Sequence, residues 1–587
     1  MADHESVESD DKMRKVARRM AGGLPTYKYG GLAYALSTLS SYDMQRITTT
    51  GRRVHGAEDV PLQPYGTPNA MEMLRMSRTV QGSRVPRVAV KGIPERPFVI
   101  ATAPPEKFYV LVRIKAPSMT QYRDHPLQRA PIDLLIALDF SEGIEKPALD
   151  HVRDALAFVI DNLEPSDRLS ILSSCASPEK VFPFRRMSQQ GQEAAKDTVN
   201  TLVFTKGATK FVDILTVAAL VLEQRRYLNP AAFIILLSDR RDTTNTLPLA
   251  LENVREMAIS DLEELPIAVY PPRESSDYIN NYFETPVFPV YAFGIGKHHE
   301  PFALHEVCSA TGGTYSYLEN YEILRDAIAC RIGALLSVVT LQFCLTLTRG
   351  TAGVNILDIH SGDFYNNICE EDKSIGEIKV RHLFADETKE FLIAVSLPAR
   401  RLKPKEACLG LVWTYKDSVL NDGREHLYCD TVDIYRTLIE PHPMSNRVHS
   451  DVIRTRACLY FSLRIHDAIR TYETKGFIKA REFLRNQISE IKESESVSNE
   501  DKLSIWMLIQ IQEVVRTMLE GSRSFKNGGI AVALSTLSSH DTQTTTILGS
   551  EVPGTVVHLF QPYGTPNTMA MVTKSILQLH SSTRAHH

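Results

Sequence analysis

The sequence predicts an α/β domain built on a mostly parallel sheet covered by helices on both faces. A β-sandwich-like module and then a helical region should follow it. Three observations lead to this. Between about residues 131 and 340, nearly continuous apolar runs alternate with segments of helical period. Between 341 and 440 the period shortens to that of strands alone, and between 445 and 520 it returns to that of helices.

Residues 1–85 read as a second copy of the chain's own tail. Gly30-Gly31-Leu-Ala-Tyr-Ala-Leu-Ser-Thr-Leu-Ser-Ser-Tyr-Asp43 returns as Gly528-Gly529-Ile-Ala-Val-Ala-Leu-Ser-Thr-Leu-Ser-Ser-His-Asp541. Gln63-Pro-Tyr-Gly-Thr-Pro-Asn69 returns as Gln561-Pro-Tyr-Gly-Thr-Pro-Asn567 at the same offset, so no gap intervenes. Val16, Arg18 and Met20 match Val514, Arg516 and Met518 in that register. Two copies this far apart do not make a solenoid. A tandem duplication and a fusion of neighbouring genes both explain them. Both copies are rich in Ser, Thr, Gly and Pro with little amphipathic period, which predicts largely extended or disordered chain in 1–85 and in the tail 521–587.

Between 95 and 130, Phe98-Val-Ile-Ala-Thr and Phe108-Tyr-Val-Leu-Val-Arg-Ile-Lys115 are short, β-branched and bounded by prolines, as strands leading into the α/β domain should be. From Pro131, Ile132-Asp-Leu-Leu-Ile-Ala-Leu138 and Ala231-Ala-Phe-Ile-Ile-Leu-Leu237 have the unbroken apolarity of strands buried on both faces. Leu149, Val152, Leu156, Val159, Ile160 and Leu163 fall at helical spacing between them. Leu169–Ser173 and Val287–Ile295 are further strands, and helices are expected over 190–203, 211–226, 301–311 and 321–340. The polar, proline-marked stretch 240–285 reads as a surface insertion. The β-rich domain follows in Leu341–Thr348, Ile378–Phe384, Phe391–Leu397, Gly410–Tyr415 and Tyr428–Leu438. Val452, Ala457, Leu459, Leu463, Ile465 and Ile469 mark the helical region.

Composition narrows the class. The chain has 587 residues, 43% hydrophobic and 23% charged, with a formal charge of −4, so no global field favours nucleic acid or an anionic membrane. No apolar run is long enough to span a bilayer, and the acidic start Met1-Ala2-Asp3-His4-Glu5 is unlike a secretory leader. The eight cysteines, at 175, 308, 330, 344, 369, 408, 429 and 458, form no C-x-x-C pair. Scattered thiols fit a reducing compartment, which places the chain in the cytoplasm or nucleus.

Parallel sheets bind ligands beyond the carboxyl ends of their strands. There the sequence places Asp139-Phe140-Ser141-Glu142-Gly143, Gly207-Ala208-Thr209-Lys210 and Ser238-Asp239-Arg240-Arg241. This set resembles the metal-ion-dependent adhesion site of von Willebrand factor A domains. The resemblance implies Asp139, Ser141, Thr209 and Asp239 as ligand positions for Mg²⁺ or Mn²⁺, an ion that wants hard oxygens and few carboxylates. The departures are as specific as the matches. Gly143 removes a hydroxyl ligand, and Lys210, Arg240 and Arg241 bring fixed positive charge that repels a divalent ion. The competing reading is that Asp139 and Asp239 are structural acceptors, satisfied by loop amides or by those same cations.

Asn162-Leu-Glu-Pro-Ser-Asp-Arg-Leu-Ser170, Phe184-Arg-Arg-Met-Ser188, Ile234-Ile-Leu-Leu-Ser-Asp239 and Thr311-Gly-Gly-Thr-Tyr-Ser316 are similar to plant A-domain proteins of the wavy-growth type. That resemblance runs from about residue 95 to 571 and implies a RING ubiquitin-ligase family. A RING holds two zinc ions in C-x-x-C-type pairs, and nothing before Cys175 is a cysteine, so ligase activity is not expected of this chain. His298-His299-Glu300 lacks the H-e-x-x-H spacing of a zincin and reads as surface loop; Gly312-Gly313 reads as a turn, and Glu493–Ser498 as a linker. The expectation is a non-catalytic protein-interaction protein without catalytic or cofactor-binding residues. Its partners would be proteins, among them RING-containing paralogues or ligase substrates. The alternative is a RING-less subunit that works through a partner's RING.

Overall fold

The computed structural model describes residues 86–140, 144–174, 178–202, 204, 211–240, 288–371, 373–400, 405–421, 423–493, 502–546 and 563–585. Residues 1–85 and most of the 240–285 insertion, for which expectations were given above, lie outside them.

The A domain is a six-stranded sheet in the order β6-β5-β4-β7-β8-β9. Its strands are β4 (Ile132–Asp139), β5 (Arg168–Ser174), β6 (Pro178–Arg186), β7 (Ala231–Ser238), β8 (Val290–Ile295) and β9 (Tyr315–Leu318). All neighbours are parallel except β6, which runs antiparallel to β5. Strand β4 shows why these residues choose this place. Ile132, Leu134, Ile136 and Leu138 enter one core, and Leu135 and Ala137 enter the other. A strand with apolar side chains on both pleats is stable only with both faces covered.

On one face lie α1 (Lys146–Asn162), α2 (Gln189–Asn200) and, later in the chain, α5 (Leu324–Leu335). On the other lie α3 (Phe211–Glu223) and α4 (Pro301–Thr311). Arg325 of α5 ties α1 by hydrogen bonds of 2.8 and 2.9 Å to Asp154 and sits over the Phe158 ring.

The strands before the A domain are not a lead-in. Strands β1 (Ala89–Pro94), β2 (Phe98–Ile100) and β3 (Phe108–Lys115) belong to the β-sandwich whose remaining strands follow the A domain. Those are β10 (Val338–Arg349), β11 (Asn355–His360), β12 (Tyr365–Ile368), β13 (Ile375–Phe384), β14 (Thr388–Ser396), β15 (Lys405–Asp417) and β16 (Glu425–Thr437). One sheet runs β1-β3-β14-β11 and the other β12-β13-β10-β15-β16-β2. The A domain is therefore inserted into the sandwich between β3 and β10. The sandwich also shares a core with it: Phe233 of β7 packs against His382 and Phe384 of β13, with centroids 5.1 and 6.4 Å away.

The C-terminal reading needs a larger correction. The helical region is α6 (Ser450–Lys475), α7 (Phe477–Glu493) and α8 (Lys502–Leu519). The tail then continues as α9 (Ile530–Asp541) and α10 (Pro566–Ala585), where extended chain was expected. Every residue of α9 is buried, so it has no solvent-exposed face and therefore no ordinary amphipathic period to detect. It lies along β9, an edge of the A-domain sheet. Ser535 Oγ accepts the Tyr317 amide at 3.1 Å and Ser538 Oγ accepts the Tyr315 amide at 2.9 Å. The tail thus closes a sheet edge that would otherwise present bare amides.

At the amino end of β4, Asp133 is fully buried between two arginines. It accepts from Arg168 Nε and Nη2 at 2.8 and 2.7 Å and pairs with Arg225 Nε at 2.9 Å. Asp167 similarly accepts the Ile132 amide at 2.9 Å and the Glu164 amide at 2.7 Å, which accounts for the Glu-Pro-Ser-Asp-Arg turn. Removing one partner of such a network strands buried charge. Asp133→Ala should lower the unfolding free energy by about 3–5 kcal/mol in urea; a loss below about 1 kcal/mol would show that the arginines are not held by it.

Candidate functional site

The crevice lies where β4, β5 and β7 end side by side. Leu138 pairs with Ser173 on one side and Leu237 on the other, so Asp139, Ser174 and Ser238 emerge level with one another. Asp139 is 2% exposed. Its Oδ1 accepts from Ser174 Oγ at 3.0 Å and its Oδ2 from Ser238 Oγ at 3.0 Å. Arg240 Nη1 stands 3.4 Å from Oδ1. Burial pushes the Asp139 pKa up, and the Arg240 charge and the two serine hydroxyls pull against that.

Ser238 also accepts the Arg240 amide at 3.3 Å, which curls the chain after β7 back toward Asp139. Asp239 points elsewhere: its Oδ2 accepts the Tyr321 hydroxyl at 2.7 Å, and its amide donates to the Asp139 carbonyl at 3.3 Å. Phe140 lines the floor edge-on to Phe204, 5.0 Å between centroids, and near Tyr321 at 6.2 Å.

Of the four positions singled out from the sequence, Asp139 and Asp239 meet here through their backbones while their carboxylates diverge, and Ser141 and Thr209 lie outside the described residues, as do Gly143, Lys210 and Arg241. Sequence reasoning missed Ser174 and Tyr321. Ser174 had a usable signal, because it is the residue that ends the neighbouring strand level with Asp139. Tyr321 comes from beyond β9 and had none.

At the same end of the sheet, His299 corrects the surface-loop reading. It is 5% exposed, with Nδ1 2.8 Å from the Gly296 carbonyl and Nε2 2.6 Å from the Tyr315 hydroxyl. A carbonyl only accepts, so Nδ1 carries the proton and Nε2 accepts from Tyr315. The ring presses on the backbone so closely that a Cβ at Gly294 would lie 2.3 Å from it. Both nitrogens are thus committed inside the core, and the histidine serves packing.

With this geometry in hand, comparison with known proteins places the domain. Residues 133–329 match the family model of the von Willebrand factor type A domain. This chain carries a von Willebrand factor type A domain. Over 317 residues it is 30% identical to the probable E3 ubiquitin-protein ligase WAVH2 of Arabidopsis thaliana, a stretch covering 53% of this chain and 39% of that one. Over 168 residues it is 33% identical to the E3 ubiquitin-protein ligase WAV3 of the same plant, covering 27% of this chain and 23% of that one. The chain therefore spans less than half the length of these relatives, and the resemblance to the wavy-growth type proteins drawn from its motifs holds. Among solved structures, a von Willebrand factor type A protein from Catenulispora acidiphila superposes with a TM-score of 0.53 at 15% identity. That match covers 79% of this chain and 97% of the other, a likeness of fold that reaches beyond the A domain.

Burial pushes the His299 pKa down from 6.5 to about 4. The fold holds the neutral ring, so its contribution is intact above pH 6.5 and drains as pH falls from 6.5 towards 4. The loss approaches about 1.4 kcal/mol per pH unit in that window. His299→Gln should therefore show a smaller drop in melting temperature between neutral pH and pH 5 than the natural chain. An unchanged drop would place the proton uptake elsewhere.

Proposed function

We propose that this chain is a non-catalytic protein-interaction protein that presents the strand-end face of its A domain to partner proteins without a divalent ion. One observation carries the reading: both oxygens of the Asp139 carboxylate already accept hydrogen bonds, and the Arg240 guanidinium stands at 3.4 Å. Among the described residues, the donors around Asp139 do not fit Mg²⁺. An ion coordinated by Asp139 at about 2.1 Å would displace the serine donors and face a fixed positive charge a few ångströms away. Gly143, where a hydroxyl ligand would be needed, weakens the set further. Arg240 thus supplies the positive charge that a metal would otherwise bring to this end of β4. In this reading the degenerate adhesion site keeps its shape and loses its ion, and the chain competes with RING-bearing relatives for the proteins they bind.

A second reading is favoured by the identity to proteins named E3 ubiquitin ligases. In it the chain is a subunit that borrows a partner's RING. Ubiquitination activity that co-purifies with the chain and vanishes when a RING-bearing relative is removed would support it. Failure to associate with any RING protein would end it.

The main reading is tested by thermal melting of the full chain with Mg²⁺ and Mn²⁺. The natural chain should show no metal-dependent shift, and Gly143→Ser with Arg240→Gly should introduce one that Asp139→Ala removes. A shift in the natural chain that Asp139→Ala abolishes would mean that the metal site works as it stands.

A further inference from the structure

Helix α9 sits in a seat with specific fittings. Leu534 and Leu537 are 4% and 1% exposed, and Ser535 and Ser538 take the amides of Tyr317 and Tyr315 on β9. At its end, Asp541 accepts from Ser462 Oγ at 2.5 Å and meets His466 Nε2 at 2.8 Å. The Gln543 side chain then exchanges two hydrogen bonds of 2.7 Å with the Glu390 backbone. At its start, Gly529 is required, because a Cβ there would lie 2.4 Å from Thr517 Oγ1.

The chain contains these fittings twice. In the register of the internal repeat, Leu36 and Leu39 stand for Leu534 and Leu537, and Ser37 and Ser40 for Ser535 and Ser538. Gly31, Asp43 and Gln45 likewise stand for Gly529, Asp541 and Gln543. Four buried positions differ, with Leu32 for Ile530, Tyr34 for Val532, Tyr42 for His540 and Met44 for Thr542. His540 uses both nitrogens in the seat, at 2.8 Å from Gln510 Oε1 and 2.9 Å from the Tyr563 hydroxyl, and a tyrosine cannot make that pair of bonds. What the first copy keeps is therefore the set that binds the sheet edge and the sandwich; what it loses is some quality of fit.

Reach is not an obstacle. Ala89 pairs with Lys115, which pairs with Thr388, so the start of β1 is two strand spacings, roughly 10 Å, from the strand whose Lys389 holds the Thr542 carbonyl at 2.7 Å. Residues 46–88 join the first copy to that point, and a chain of such length spans on the order of 30–40 Å as a random coil. Tethering of this kind gives effective concentrations near millimolar.

We propose that residues 30–45 are a second ligand for the seat that α9 fills, so that one groove on the A domain has two interchangeable segments of the same chain to occupy it. The resident α9 holds the seat because its fit is better. When a partner draws residues 528–543 away, the first copy takes their place and keeps β9 closed, leaving the C-terminal copy free to engage the partner.

The test uses four full-length chains: natural, Leu534→Asp with Leu537→Asp, Leu36→Asp with Leu39→Asp, and all four changes together. Thermal melting is read alongside hydrogen exchange, in which Tyr34 and Tyr42 distinguish peptides of the first copy from those of α9. The changes at 36 and 39 should leave the natural chain's melting temperature unmoved and lower that of the α9-substituted chain by several degrees. Amides of residues 30–43 should gain roughly tenfold or more protection when α9 is substituted, and lose it when both copies are. Unchanged exchange of 30–43 in all four chains would overturn the proposal. So would an α9-substituted chain that is equally unstable, or equally unfolded, with and without the first copy intact.

Discussion

Strand β4 enters its sheet at Asp133 and leaves it at Asp139, and both carboxylates are withdrawn from water. A buried carboxylate is tolerated only where hydrogen bonds and opposite charge meet it. That requirement organises both rims of the sheet. At the amino rim, Arg168 and Arg225 converge on Asp133 from β5 and from the segment after α3. At the carboxyl rim, Ser174, Ser238 and Arg240 converge on Asp139 from the two flanking strands. The first arrangement is purely structural. The second occupies the place where this fold gathers ligands, so the same need for neutralisation decides whether the crevice holds an ion or an arginine.

Among the described residues, both faces of the A-domain sheet are covered. The sandwich and helices α1, α2 and α5, with α10 against α5, cover one face, and α3, α4 and α6 to α9 cover the other. Strand β9, the open edge, is closed by serine hydroxyls of α9. A partner that approaches the A domain therefore meets the strand-end loops or displaces a C-terminal element.

What the sequence revealed follows from where burial leaves a local trace. Strands β4 and β7 are apolar at every pleat because both faces are covered, and α1 repeats its apolar residues at helical spacing because only one face is. Strand β6 was overlooked because an edge strand can carry Pro178, Pro183 and several charges without losing its place. Helix α9 was misread because it is enclosed on all sides and shows no exposed face, and its serines and threonines imitate an unstructured tail. The pairing of β3 with β14 joins segments separated by the whole A domain, and no local pattern records such a contact. At the crevice, Asp139 and Asp239 were legible from their positions at strand ends. The roles of Ser174 and Tyr321 depended on register and on a distant loop.

The claim that the crevice is built around the protein's own cation is tested most directly by a double-mutant cycle on Asp139→Asn and Arg240→Met. Unfolding free energy is measured in EDTA and again in millimolar Mg²⁺. A metal-free crevice predicts a favourable coupling of about 1–3 kcal/mol between the two residues, the same in both conditions. Coupling that is absent in EDTA, or a cost of Asp139→Asn that appears only with Mg²⁺, would contradict it.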